Sequence, residues 1–246
     1  MTIFLTSHIG GWKRDGGAKT PVPLSPDNGL VDNLKRVWPE NARVLFIAAA
    51  ADSYERNDSI AEIFRQALPM TDLPIRGIDI CDGRNVEPVR HLEEYDALIL
   101  SGGHVPTQNG FFHSIGLKGH LADYDGILIG ISAGTMNAAE TVYAHPELEG
   151  EAVDPEYRRF LPGLGLTKLM ILPHYQMIKD DVLDGLRVFE DIAYPDSMGR
   201  EFYALVDGSY VLSENGVETL HGEAWRIKDG QIEQVCARDE ILALTK

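Results

Sequence analysis

Cysteine is scarce in this chain of 246 residues, with Cys81 and Cys236 the only two and far apart. That excludes a disulfide framework and any C-x-x-C redox or zinc motif, and makes two reduced thiols in a cytoplasmic protein the expectation. Positive charge is also short. Lys+Arg number 22 against 38 Asp+Glu, a formal net charge of −16 with no basic stripe to interrupt it, so nucleic acid and anionic membrane surfaces are poor partners. No apolar run approaches a membrane span. The opening run Met1–Thr6 is too short for a signal peptide, and Lys13 and Arg14 follow it rather than precede it. The G-x-x-x-x-G-K-[ST] phosphate loop, the G-x-G-x-x-G dinucleotide fingerprint and H-E-x-x-H are absent, and His113 and His120 do not share a helical face. Neither a cofactor nor a metal is therefore expected.

What is present is an ordinary globular composition, 44% hydrophobic, enough to bury a core in one domain spanning residues 1–246. Short β-rich runs alternate with helical patterns. Strands are expected at Ile3–Thr6, Val44–Ala49, Ile75–Cys81, Ala97–Leu100 and Ile127–Ile131. Helices are expected from Ser25-Pro26-Asp27 to Trp38, over Asp58–Leu68, over Val89–Glu94, and in pieces broken by glycines between Pro106 and Leu121. Unbroken apolar strands separated by helices indicate an α/β fold with a mostly parallel sheet covered on both faces. His8–Pro23 reads as a loop, 140–162 as irregular, Leu169–Leu172 as a strand and Asp180–Ile192 as a helix. Beyond residue 200 the chain is β-rich, and Glu214-Asn215-Gly216 and Lys228-Asp229-Gly230 signal antiparallel hairpins.

The most informative stretch is Gly130-Ile131-Ser132-Ala133-Gly134, between the apolar run Gly126–Ile129 and the helix-prone run Thr135–Glu140. A strand, a tight turn and a helix with serine at the apex make a nucleophile elbow, where only small neighbours hold the hydroxyl clear of the backbone. The following helix aims free N–H groups at whatever anion forms there. Serine needs a base, and the base needs an acid to hold its tautomer. Of eight histidines, His174 stands out because it ends the apolar strand Leu169–Pro173, and functional groups in parallel sheets cluster past strand carboxyl ends. A strand-end histidine capping backbone fits the same position. Asp207 ends Tyr203–Val206 in a similar setting, and an ordinary Asp-Gly turn explains it equally. Ser101-Gly102-Gly103-His104 follows Ala97–Leu100, and its glycine N–H groups suit half an oxyanion hole, with the Ala133 N–H as the other half.

Four pieces in this order resemble the peptidase E and cyanophycinase family of serine peptidases. They are Gly102-Gly103, Gly130-Ile131-Ser132-Ala133-Gly134, Leu172-Pro173-His174-Tyr175 and Asp207-Gly208-Ser209-Tyr210, and the likeness spans about residues 43–215. It implies a class I glutamine amidotransferase-like, flavodoxin-like fold. It implies Ser132 as nucleophile, His174 as base, Asp207 as its orienting acid, and Gly103 and Ala133 as oxyanion donors. The substrate implied is a small peptide, with aspartyl dipeptidase-like cleavage by a serine-type exopeptidase as the expectation. Relatives often read Gly-Gly-Asn-Thr where this chain has His104, which makes His104 a substrate-binding candidate. Arg187 and Arg200 flank the segment between base and acid, where aspartyl dipeptidases hold carboxylate-binding residues. Two alternatives stand beside this reading. One is an α/β-hydrolase esterase using His221, and the other an inactive binding module of the same fold. Assembly into a homo-oligomer is left open.

Overall fold

Ala97-Leu98-Ile99-Leu100 and Ile127-Leu128-Ile129 are apolar without alternation because their strands are buried on both faces, at 5% exposure or less. A computed structural model of the protein describes residues 1–16 and 18–244. Its central sheet begins with five parallel strands: β1 (Thr2–Thr6), β2 (Ala42–Ile47), β3 (Ile75–Cys81), β4 (Ala97–Leu100) and β5 (Ile127–Ile131). They lie in the order β3-β2-β4-β5-β1. The chain then enters a second sheet with the parallel pair β6 (Met170–Leu172) and β7 (Glu201–Leu205). It returns to the first with β8 (Tyr210–Glu214), antiparallel to β1, and β9 (Val217–His221). β10 (Ala224–Lys228) and β11 (Gln231–Cys236) complete the second sheet, and β12 (Ile241–Leu244) closes the edge of the first. The result is an α/β fold with a large, mostly parallel central sheet, and its C-terminal hairpins are shared between two sheets.

Helices α1 (Leu30–Val37), α2 (Tyr54–Met70), α3 (Val105–Ser114) and α4 (Ala133–Asn137) follow β-strands or loops as the sequence pattern predicts, with local differences. Ser25-Pro26-Asp27 opens only a 3₁₀ turn, and α1 starts at Leu30 after Gly29 turns left-handed at φ 75°. Gly110 lies inside α3 instead of breaking it.

Two expectations are overturned. His8–Pro23 is not a loop: Gly10–Asp15 and Ala18–Leu24 pair as an antiparallel hairpin against α2. Asp180–Ile192 is not a regular helix: Val182–Leu183 and Leu186–Arg187 pair around Asp184 and Gly185, at φ 53° and 83°, before a π-type turn over Val188–Ala193. Within the irregular 140–162 stretch, Thr141–Tyr143 pairs with Phe160–Pro162. Among the described residues no helix is long and apolar enough to cross a membrane.

Candidate active site

Three strand ends converge on one point. Ser132 leaves β5 at φ 52°, a conformation an L-residue adopts only when its surroundings impose it, and α4 begins at the next residue. The end of β1 provides that bracing. Thr6 carbonyl accepts both the Ser132 N–H at 3.1 Å and the Thr135 hydroxyl at 2.8 Å, while the Thr6 hydroxyl donates to Gly130 carbonyl at 2.7 Å. Small residues flank the turn of necessity. A Cβ on Gly134 would sit 2.3 Å from the Leu100 carbonyl, and one on Gly130 would meet Thr135 backbone at 3.0 Å.

His174 follows β6, also left-handed at φ 60°, and Asp207 follows β7. The His174 Nε2 lies 3.0 Å from the Ser132 Oγ, and its Nδ1 lies 2.7 Å from the Asp207 Oδ1. Ser7, fully buried just past β1, ties the line to the central sheet. Its hydroxyl donates to the same Asp207 oxygen at 2.7 Å and accepts the His174 N–H at 2.8 Å. The Asp207 N–H is held in turn by the Gln176 side-chain carbonyl at 3.1 Å. Burial alone would raise the Asp207 carboxyl. The hydrogen bond and charge of His174 and the Ser7 hydroxyl outweigh it, holding the carboxyl at about 2. The structure thus brings Ser132, His174 and Asp207 together. Sequence reading missed Ser7, although Ser7 lies past a strand end as His174 and Asp207 do.

The glycine loop also lies against the serine. A Cβ on Gly102 would stand 3.4 Å from the Ser132 Cβ, whereas Gly103 faces Ala49, where a Cβ would clash at 2.5 Å. Ala133 is buried in the first turn of α4, where backbone N–H groups have no intrahelical acceptor.

Two cavities border Ser132 and His174. One, about 440 Å³, is lined by Ser132, His174, His145, Glu147, Asp181 and Val188. The other, about 320 Å³, is lined by Ser132, His174, Gly102, Trp12, Lys19 and Arg56. His145 is buried, and its Nδ1 has no hydrogen-bond partner among the described residues. Burial drives its pKa down to about 4, with the Glu151 charge opposing and His174 adding to the fall. Crowding by protein atoms raises the Glu147 carboxyl to about 7, helped by Glu151, though its side chain still reaches solvent.

The other expected residues lie elsewhere. His104 is held between Thr107 and Glu151, at 2.8 Å from each, and lines neither cavity. Arg187 pairs with Asp191 at 2.7 Å on an exposed turn, and Arg200 stacks over Phe160 at 4.2 Å. Neither arginine lines a cavity that Ser132 lines, because each is already engaged by a neighbour on its own surface. His221 bonds Thr219 and stacks on Tyr210, away from Ser132. No group of three or more His, Cys, Asp or Glu suited to a metal ion occurs among the described residues.

A family model described as peptidase family S51 matches residues 25–220. Among solved structures, a peptidase from an acI-B1 Actinobacterium aligns over 99% of this chain and 96% of its own, with 16% identity and a TM-score of 0.62. A Listeria monocytogenes EGD-e protein described as peptidase E aligns over 95% of this chain and 98% of its own, with 14% identity and a TM-score of 0.59. At such identities the likeness to these structures speaks to the fold. No curated protein matches the chain.

Proposed function

Because the chain belongs to peptidase family S51, we propose that it cleaves small peptides through an acyl-enzyme, with Ser132 as nucleophile, His174 as general base and Asp207 as the group orienting His174. The observation that carries this reading is the unbroken line from Ser132 Oγ through His174 to Asp207, at 3.0 and 2.7 Å, starting from a strained elbow serine. A dipeptidase-like exopeptidase is the form we favour, since the two cavities that meet at Ser132, about 440 and 320 Å³, suit a short peptide.

The chemistry follows from the hydrogen bonds. With Nδ1–H donated to the ionised Asp207, the His174 Nε2 keeps a lone pair and takes the Ser132 proton. Ser132 Oγ bonds to the scissile carbonyl carbon, and the displaced electron pair collects on the carbonyl oxygen. The N–H groups of Gly103 and Ala133 are assigned to that oxyanion. Its collapse breaks the C–N bond as His174 returns the proton to the departing amine. Water then repeats the sequence on the ester, releasing the acid and restoring the Ser132 hydroxyl. Left-handed His174 and the Ser7 bridge fix the imidazole before substrate arrives, so little reorganisation accompanies proton transfer.

The test is turnover of a dipeptide panel by Ser132→Ala. The expected result is a loss in kcat of about 10⁴-fold or more with the melting temperature nearly unchanged. Unchanged turnover would remove Ser132 from the mechanism.

A further inference from the structure

The two cavities at Ser132 carry opposite charge. Lys19 and Arg56 line the cavity on the glycine-loop side, and Glu147 and Asp181 line the other. In a chain with net charge −16, a cation pair beside the candidate nucleophile runs against the field of the whole molecule. Its geometry is anchored at both ends. The Arg56 guanidinium reaches the Gly102 carbonyl at 3.4 Å, and Gly102 abuts Ser132. The Lys19 ammonium sits 4.2 Å from the Trp12 ring centroid. Trp12 meets His8 edge-on at 5.7 Å, and His8 lies 6.5 Å from His174 between ring centroids. Lys19 and Arg56 therefore line one cavity together with Ser132 and His174. Beyond partial burial, the charges acting on Lys19 are those of Arg56 and Arg14, both positive, and all three effects lower its pKa. An anion entering this cavity relieves that repulsion.

Resting on the peptidase reading above, we infer that the Lys19–Arg56 cavity is a carboxylate subsite that holds the free C-terminal α-carboxylate of a short peptide. The polarity of the site selects the α-carboxylate over an acidic side chain on the N-terminal residue. Asp181, in the other cavity that Ser132 lines, suits an α-ammonium and disfavours a second carboxylate, and Glu147, its carboxyl raised to about 7, adds to this only in its ionised fraction. A zwitterionic peptide of two or a few residues then spans Ser132 with its amine toward Asp181 and its carboxylate toward Lys19 and Arg56. Trp12 and Phe64, in the same cavity, give the C-terminal side chain an apolar wall. The hairpin Gly10–Leu24, which carries Trp12 and Lys19, is on this account the element that limits substrate length.

The experiment compares matched dipeptides and tripeptides with free and amidated C-termini, using wild-type protein, Lys19→Ala, Arg56→Ala and Arg56→Lys. Charge-assisted hydrogen bonds to the carboxylate predict that wild type prefers the free acid in kcat/KM by about tenfold to 100-fold. Both alanine variants should collapse that ratio, and Arg56→Lys should keep part of it. Equal rates for acid and amide in wild type, or a ratio unchanged in the alanine variants, would overturn the subsite while leaving the peptidase reading intact. A stronger preference for an N-terminal acidic side chain that is lost in the same variants would reassign the cavity to that side chain. Protection of Ser132 from a fluorophosphonate by the same peptides separates the two readings if no peptide is cleaved. Protection by acid but not amide supports the subsite, and equal or absent protection overturns it.

Discussion

Ser7 carries the least conspicuous part of the site. It touches none of the atoms that react, yet its hydroxyl joins the Asp207 carboxylate to the His174 backbone at 2.7 and 2.8 Å. It is a positioning residue, and Ser7→Ala should lower kcat by about tenfold through the loss of one charge-assisted bond, with KM much less affected. A kcat equal to wild type would leave Ser7 a packing residue only. Asp207→Asn tests the next link. The amide cannot hold the imidazole in the required tautomer, so kcat should fall by about 10⁴-fold while the fold persists. If activity survives and Asp207→Ala chiefly lowers the melting temperature, Asp207 serves only its Asp-Gly turn.

At the level of elements, the elbow depends on how closely α4 approaches β4. Gly134 packs on the Leu100 carbonyl with no room for a methyl group. Gly134→Ala should therefore destabilise the protein by about 1–3 kcal/mol and displace Ser132, so melting temperature and activity fall together. Retention of both would show that α4 can shift without cost. This element was legible in the sequence because the G-x-S-x-G spacing and the preceding buried strand follow from the same steric demand. His174 and Asp207 were legible only as strand-end residues, and it is the pairing of β6 with β7 that sets them side by side. The 10–24 hairpin was not legible, since Gly10, Gly11, Gly16, Pro21 and Pro23 are loop residues by composition and the strands form against α2. The 180–192 segment misled for another reason. Leu183, Leu186 and Val188 to Ile192 mimic helical spacing, whereas Asp184 and Gly185 turn the chain between two short paired strands. Lys19 and Arg56 lie 37 residues apart in sequence, and no local pattern joins them.

For the whole molecule, the site joins two sheets: Ile171, Leu205 and Ala224 of the second pack into the core of the first, while Leu172, Phe202 and Ile227 form a smaller core of their own. Ser132 and Ser7 leave the central sheet, whereas His174 and Asp207 leave the second, against which Tyr143 stacks on Phe202 at 4.2 Å in the smaller core. Acid acts on the fold in two opposing ways: charging His145 costs stability, whereas the Glu147 carboxyl, raised to about 7, binds its proton more tightly in the folded chain and adds stability as pH falls below that value. His145 has a folded pKa of about 4, below the ordinary value, so the unfolded chain takes up its proton first as pH falls. Its contribution to stability is complete at neutral pH and is lost between about 6.5 and about 4, on the order of 3 kcal/mol. Asp207, held at about 2, adds a second loss at lower pH, as the medium falls through the ordinary carboxylate range toward 2. Calorimetry of wild type and His145→Leu at pH 7 and pH 4.5 should show a smaller drop in melting temperature for the variant. An equal drop would assign the lability to other groups.

The central claim is that Ser132, drawn out of β5 by the elbow and hydrogen-bonded to His174, forms the covalent bond to substrate. It is tested most directly by labelling the protein with a fluorophosphonate and mapping the adduct by mass spectrometry, in wild type and in His174→Ala. The account predicts one adduct, on Ser132, formed orders of magnitude more slowly without His174. An adduct on another serine, or labelling of Ser132 at the same rate in His174→Ala, would contradict it.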